Sequence, residues 1–284
     1  MLPSIRSDTW GKYRVVWVNS DHIEHSMGVY YSQRADAVGI SSSRGYKRKD
    51  VSFLADYQDV TGVINNTEPG IPCAPLTGLA GLKILAFRES PSELNLHAFP
   101  KLEYALITWG KNVTGLGGNR RLKSLGLQGY KPKTKDLREV ATNDALEELS
   151  LTKSGITSLA GLAALVKLTK LDVSYCSKLT DIGEFMRMKE VPITELEMQN
   201  CIHVRNHACV SAVESLKILR MIKCGIMDQV DFVADMQNLE QFVFAGTEVK
   251  SGNLQALTRL KYCYFTKQGR YTHKLDKRNR VVLK

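Results

Sequence analysis

The chain has 284 residues, of which 43% are hydrophobic and 24% are charged, and its formal net charge is +10. This composition is typical of a globular protein and excludes a fibrous or disordered chain. No apolar run approaches the roughly 20 residues of a membrane-spanning helix. The first residues also lack the apolar run of roughly 7–15 residues found in a signal peptide. We therefore expect a cytoplasmic protein without membrane insertion.

The cysteines do not follow a metal-ribbon or redox pattern. There are six of them, and none belongs to a C-x-x-C pair, so a zinc ribbon or a thioredoxin-type site is excluded. A chain of this length can bury a large core without disulfides, which a reducing compartment would not maintain. We interpret all six as free thiols and expect no cofactor.

The first 56 residues contain three short runs rich in β-branched and aromatic residues. We predict strands at residues 13–18, 28–32 and 37–41, separated by polar turns. Because the ends of a stacked repeat array would otherwise expose their core to water, we predict that residues 1–56 form an N-terminal β cap.

A leucine-rich pattern organises the middle of the chain. The pattern L-x-x-L-x-L, with other apolar residues allowed, occurs nine times at spacings of 20 to 25 residues. Its first positions are Leu82, Leu102, Leu122, Leu146, Leu168, Ile193, Leu216, Leu239 and Leu260. Val60 and Val63 suggest a degenerate repeat before these. We therefore predict a solenoid of nine to ten repeats over residues 57–266.

The alternation L-x-L predicts a short strand with one buried face in each repeat. Stacked repeats would place these strands in a curved parallel sheet on the concave face, with helices, 3₁₀ turns or extended segments on the convex face. This is an α/β fold. The third residue after each strand should satisfy buried backbone groups at the turn. That slot holds Ser90, Gly110, Tyr130, Ser154, Cys176, Cys201, Cys224 and Thr247, and we expect irregular turns at Gly110 and Tyr130.

These repeats resemble those of leucine-rich-repeat proteins. Residues 146–168, LEELSLTKSGITSLAGLAALVKL, are similar to the short repeats of the phosphatase-regulator subclass. Residues 168–185, with the ending C-x-x-L-T-D-x-G, resemble cysteine-containing repeats of F-box proteins. The segment LADYQDVTGVIN, which leads into the repeats, is similar to the entry segment of stand-alone bacterial leucine-rich-repeat proteins. The resemblance implies a binding solenoid and does not identify an activity.

The last 18 residues, 267–284, are strongly basic. They contain seven basic residues and one acidic residue, and so carry +6 of the net charge of +10. We predict that they form a basic C-terminal tail or cap.

The residues between and just after the apolar strand positions should point out of the concave face, where a protein partner would bind. The centre of this face would be acidic and its ends apolar, with aromatic and Arg side chains suited to a protein interface. The predicted partner-binding residues are Arg88, Tyr104, Leu106, Trp109, Glu148, Lys170, Asp172, Tyr175, Glu195, Glu197, Ile218, Arg220, Ile222, Tyr262 and Tyr264.

One segment has ligand types suited to a metal. Cys201, His203, His207 and Cys209 lie within nine residues, a spacing that allows a tetrahedral zinc site. Cys201, however, occupies a turn slot of the repeat, which favours a structural role. We predict no metal and keep these four residues as the alternative.

Three functions fit the sequence to different degrees. We predict a non-enzymatic scaffold that holds a protein partner and acts as an inhibitor, a regulator or a toxin-neutralising immunity protein. The alternative is nucleic-acid or anionic-surface binding through the basic tail, which should depend steeply on salt. An enzyme with its site in the N-terminal region is disfavoured because few ionisable residues converge there.

Overall fold

All nine predicted repeat strands are present in the computed structural model of the protein, which describes residues 5–67, 72 and 74–284. The strands divide between two units, Met1–Gln128 and Gly129–Lys284. Cys73, one of the six predicted thiols, lies outside the described residues.

The first unit is built around a seven-stranded sheet in the order β1-β2-β3-β4-β5-β7-β9. Only β1 and β2 are antiparallel, and β6 pairs separately with β8. The strands are β1 (Ser7–Trp10), β2 (Tyr13–Trp17), β3 (Ala37–Ile40), β4 (Gly62–Asn65), β5 (Ile84–Phe87), β6 (Leu94–Asn95), β7 (Tyr104–Thr108), β8 (Val113–Thr114) and β9 (Ser124–Gln128). Short 3₁₀ helices connect them at Ser42–Arg44, Ser52–Asp56, Ala74–Gly78 and Leu96–Ala98.

The N-terminal residues continue the parallel arrangement of the repeats. Strand β4 pairs with β5 so that Val63 lies beside Leu85, which is the register of the degenerate repeat expected from Val60 and Val63. Strands β2 and β3 extend the same parallel ladder. The proposed boundary at residue 56 between a cap and a solenoid stays a prediction.

The predicted strand at residues 28–32 is wrong. These residues belong to an α-helix, α1 (Ile23–Ser32), which links the parallel strands β2 and β3. Its buried side chains include Met27 and Tyr30, which are three residues apart and therefore share one face of a helix. The two adjacent tyrosines favoured a strand by local propensity, but the burial of this face decides the structure.

The second unit contains a six-stranded parallel sheet in the order β10-β11-β12-β13-β15-β17. The short strands β14 and β16 form a parallel pair beside it. The strands are β10 (Glu148–Thr152), β11 (Lys170–Ser174), β12 (Glu195–Gln199), β13 (Ile218–Ile222), β14 (Ile226–Met227), β15 (Gln241–Val243), β16 (Glu248–Val249), β17 (Tyr262–Tyr264), β18 (His273–Leu275) and β19 (Val281–Leu283). The connections contain 3₁₀ helices at Val140–Thr142, Leu162–Ala164, Gly183–Arg187, His207–Ala212, Asp231–Asp235 and Gln255–Arg259.

The turn slots of the second unit form a ladder of side-chain hydrogen bonds. Each slot residue from Ser154 onward donates to a carbonyl of an earlier repeat: Ser154 to Tyr130 (2.8 Å), Cys176 to Leu151 (3.8 Å), Cys201 to Val173 (3.3 Å), Cys224 to Met198 (3.2 Å) and Thr247 to Met221 (2.6 Å). This confirms the predicted role of the slot in satisfying buried backbone groups. Tyr130 departs from the pattern as expected, since its buried side chain donates through its hydroxyl to Glu139 (3.3 Å).

The basic C-terminal segment is folded. Strands β18 and β19 form an antiparallel hairpin, and Tyr271, His273 and Val281 are buried. The backbone N–H of Cys263 in β17 donates to the carbonyl of Asn279 (2.8 Å), so the hairpin covers the last strand of the sheet. Within the described ranges, no helix combines the length and the apolarity needed to cross a lipid bilayer.

Candidate binding face of the sheet

The side chains of strands β10 to β17 alternate between the core and the opposite face of the sheet. On β11, for example, Leu171 and Val173 are fully buried, whereas Lys170 is exposed and Asp172 is half-buried. The parallel register aligns equivalent positions of neighbouring strands. We call the aligned exposed side the outer face of residues 129–284. Its side chains are those of Glu148, Ser150, Lys170, Asp172, Glu195, Glu197, Ile218, Arg220, Ile222, Gln241, Val243, Tyr262 and Tyr264.

The centre of this outer face is an ion-pair network. Glu195 accepts from Arg220 (2.7 Å) and lies 3.3 Å from the Lys170 ammonium, and Arg220 also approaches Glu197 (3.6 Å). Burial alone would raise the pKa of Glu195, but the hydrogen bonds and charges of the two basic residues lower it overall. The carboxylates predicted at the centre lie on this face, and Glu195 and Glu197 among them lie close to cations.

Apolar side chains lie beside this network on β13, β15 and β17. Ile218, Ile222, Val243 and Tyr262 are half-buried, and Tyr264 is 46% exposed. Tyr175 follows β11 in a left-handed conformation (φ 57°) and is 49% exposed. Tyr264 lies two strands from Arg220 in the register of the sheet, across Val243.

The corresponding face of residues 1–128 is largely occupied by the chain itself. The Trp10 and Tyr13 rings pack edge-on against Tyr104, with centroid distances of 5.7 and 5.4 Å. Leu106 packs against a buried cluster that includes Val15, Trp17, Ala37, Ile64 and Ala86. Tyr104 and Leu106, two predicted partner-binding residues, thus already have intramolecular contacts, while Arg88 is exposed and Trp109 is half-buried.

Trp17 is the centre of this occupied surface. Its ring lies over Gly39, where any Cβ atom would overlap it. The Trp17 indole N–H donates to Asp8 (2.7 Å), and the Arg44 guanidinium stacks 4.4 Å from the ring centroid while pairing with the same carboxylate. Burial opposes the charged form of Asp8, but these hydrogen bonds lower its pKa overall. We did not predict this arrangement from the sequence, although Gly39, a glycine inside a predicted strand, was a usable signal of a close neighbour.

Comparison with known proteins places the fold. No protein-family model matches the chain, and no curated protein is similar to it in sequence. The structure is similar to an internalin (inlF) from Listeria monocytogenes, with a TM-score of 0.57 and 15% identity over 82% of this chain and 68% of that one. It is also similar to internalin C2 (inlC2) from the same species, with a TM-score of 0.50 and 16% identity over 75% of this chain and 84% of that one.

A third similar structure is TLR13 in its complex with ssRNA13, with a TM-score of 0.58 and 16% identity over 81% of this chain and 36% of that one. The internalins and TLR13 are leucine-rich-repeat proteins. The fold of this chain is the leucine-rich-repeat fold. At these identities the likeness concerns the fold alone.

The four residues of the alternative metal site are dispersed over the leucine-rich-repeat framework. Cys201 belongs to the turn ladder, His203 is exposed, the buried His207 ring bonds to the carbonyl of Cys224, and Cys209 donates to Ile182 (3.2 Å). Burial lowers the pKa of His207. Over residues 5–67, 72 and 74–284, no group of three or more His, Cys, Asp or Glu side chains is arranged to hold a metal ion.

The described cysteines are buried thiols of the repeat core. Cys176, Cys201, Cys209, Cys224 and Cys263 form no disulfide. Hydrogen bonding to Cys201 and burial raise the pKa of Cys176 and of Cys224. Burial raises the pKa of Cys209 to about 11 and that of Cys263 to about 12. Thiols of this kind act as small apolar side chains.

Proposed function

We propose that this leucine-rich-repeat protein is a non-enzymatic scaffold that holds a protein partner on the outer face of residues 129–284. The observation that supports the proposal is the composition of that face. Half-buried aliphatic side chains and two tyrosines on β13 to β17 lie on the same face as the Arg220–Glu195 ion pair, in rows fixed by the sheet register. Ion pairs, aliphatic groups and phenols suit binding rather than bond-making chemistry.

The energetics of protein interfaces favour such a surface. A few aromatic and Arg residues carry most of the binding energy of an interface, and they cluster at its centre. A backbone held in a hydrogen-bonded sheet loses little further freedom when a partner docks, which lowers the cost of association. The carboxylates at the centre disfavour a nucleic acid on this face, since phosphate contacts dominate that kind of binding.

The biological role that we propose is inhibition, regulation or neutralisation of a toxin by an immunity protein, because these roles require only a binding surface. A cytoplasmic location fits the proposal, since the described cysteines are free thiols and reducing compartments keep thiols in that state.

A second candidate function is the binding of nucleic acid or an anionic surface through the C-terminal hairpin. Lys267, Lys274, Lys277 and Arg278 are exposed there, and none of them forms an ion pair with another described residue. Because the hairpin buries Tyr271 against the last repeat, deletion would disturb the fold. Charge reversal of Lys274, Lys277 and Arg278 to Glu is the better test, and it should abolish salt-dependent retention on DNA or RNA.

Site-specific photocrosslinking tests the principal proposal. A photoreactive amino acid at Ile222 should crosslink a defined protein partner in cells, whereas the same residue at Val166 should not. Val166 is 59% exposed but follows the 3₁₀ helix Leu162–Ala164, away from the outer face. Equal crosslinking at both positions, or at Val166 alone, would contradict the proposal.

A further inference from the structure

A cleft lies outside the outer face, among the turns that follow β12 and β13. It has a volume of about 430 Å³ and is lined by residues 202–206 of one repeat, Gly225, Ile226 and Asp228 of the next, and Lys250 after β16. This volume is within the range of about 300–1,000 Å³ typical of small-molecule sites. None of these residues belongs to the predicted partner-binding surface.

The cleft is formed by well-anchored backbone. The buried side chains of Val204 and Met227 hold its two turns against the core. The backbone N–H of Lys250 donates to the carbonyl of Met227 (2.8 Å), which extends the pairing of β14 with β16. Gly225 has a left-handed φ of 73°, and a Cβ atom there would lie 2.7 Å from the Val204 carbonyl oxygen. The shape of the cleft therefore depends on a close approach between two successive repeats.

Basic side chains outnumber carboxylates in the lining of the cleft. His203, Arg205 and Lys250 line it with a single carboxylate, Asp228. The side chains of these three basic residues form no hydrogen bond or ion pair with any described residue. Elsewhere in the same unit, basic residues such as Arg220 and Lys261 pair with carboxylates of adjacent repeats. A guanidinium and an ammonium that line one cavity can together bind a phosphate group.

Two exposed aliphatic side chains complete the cleft. Ile202 is 53% exposed and Ile226 is 59% exposed, and they belong to successive repeats. Aliphatic groups at such exposures would contact an apolar part of a ligand whose anionic group reaches Arg205 and Lys250. We propose that this cleft binds a phosphate monoester attached to a small apolar or planar group.

Titration calorimetry of the full chain tests this proposal with three probes: phenyl phosphate, inorganic phosphate and a short peptide with a central phosphotyrosine. Phenyl phosphate should bind more tightly than inorganic phosphate, because only the ester contacts the isoleucines. Binding of the phosphopeptide with at least the affinity of phenyl phosphate would identify a phosphorylated protein segment as the source of the ester. Weaker binding of the peptide would identify a free small molecule.

Variants of the lining residues give the decisive comparison. Arg205→Ala and Lys250→Ala should each weaken phenyl phosphate binding at least tenfold, and Ile226→Ser should weaken phenyl phosphate but not inorganic phosphate. Lys178→Ala, which removes an exposed charge outside the cleft, should change neither, and circular dichroism verifies folding of each variant. No binding of any probe at millimolar concentration, or an equal loss in Lys178→Ala, would overturn the proposal.

Discussion

Replacement of Thr247 by Val tests the hydrogen-bonded turn ladder with little change in side-chain shape. The Thr247 hydroxyl is buried, donates to the carbonyl of Met221 (2.6 Å) and accepts from the N–H of Cys224 (2.8 Å). Valine can do neither, so two buried backbone groups lose this partner. Each unsatisfied buried group costs about 1–3 kcal/mol. For two groups, we therefore expect the free energy of unfolding to fall by about 2–6 kcal/mol.

Urea unfolding followed by circular dichroism measures this change from the midpoint and slope of the transition. Thr258→Val is the matched control, because Thr258 is exposed and its hydroxyl donates to the Gln255 carbonyl on a surface 3₁₀ helix. The control should change the free energy of unfolding by no more than about 0.5 kcal/mol. If Thr247→Val were as stable as Thr258→Val, the ladder would not stabilise the repeats and our reasoning would be refuted.

Three further measurements test other parts of the structure. Gly39→Ala should lower the free energy of unfolding by about 1–3 kcal/mol, because the added Cβ atom overlaps the Trp17 indole ring. Gly28→Ala, in the middle of α1 where no atom lies nearby, should raise it by about 0.5–1 kcal/mol. An equal effect of the two variants would contradict the packing of Trp17 on Gly39. Burial raises the pKa of the Cys263 thiol to about 12, so it should resist iodoacetamide at pH 8 in the native protein and react in urea. Peptide mass spectrometry measures this labelling, and rapid labelling of the native protein would count against the burial of Cys263. Arg220→Met should lower the free energy of unfolding by about 1 kcal/mol at pH 7. This difference should shrink as the pH falls below the ordinary Glu pKa of 4.5, because Arg220 stabilises only the ionised form of Glu195 and so lowers its pKa. A constant difference down to pH 2 would show that the ion pair does not contribute.

The repeat architecture could be predicted from the sequence because the apolar alternation marks each strand and the spacing between repeats marks where the next strand lies. Leu149 and Leu151, or Leu196 and Met198, are two residues apart and point to one side of a strand. The spacing between such pairs then places the strands side by side in one parallel register. The turn slots were predictable for the same reason, since each lies at a fixed distance from its strand.

Two features could not be predicted because they depend on contacts between distant parts of the chain. The helix α1 is stabilised by burial of one face against its own unit, which local β propensity does not reveal. The packing of Trp10 and Tyr13 on Tyr104 joins the first strands to a repeat far along the sequence. Alternation therefore identified Tyr104 as outward-pointing but could not show that the chain itself covers it.

The same limit applies to the candidate binding face. Strand alternation correctly predicted which side chains of β10 to β17 leave the core. It could not predict that Arg220 bridges Glu195 and Glu197, since that pairing depends on side-chain geometry across β12 and β13. It also gave no sign of the cleft at Arg205, which forms from turns rather than strands.

The most direct test of the central claim is the dissociation constant of the partner captured by photocrosslinking, measured with paired variants of the full chain. Ile222→Asp combined with Tyr264→Asp should weaken binding at least a hundredfold, because both place charge in the apolar part of the outer face. Val166→Asp combined with Met186→Asp alters two exposed apolar side chains, 59% and 63% exposed, on the connecting segments, and should leave the dissociation constant within twofold. Equal dissociation constants for the two double variants would contradict binding on the outer face.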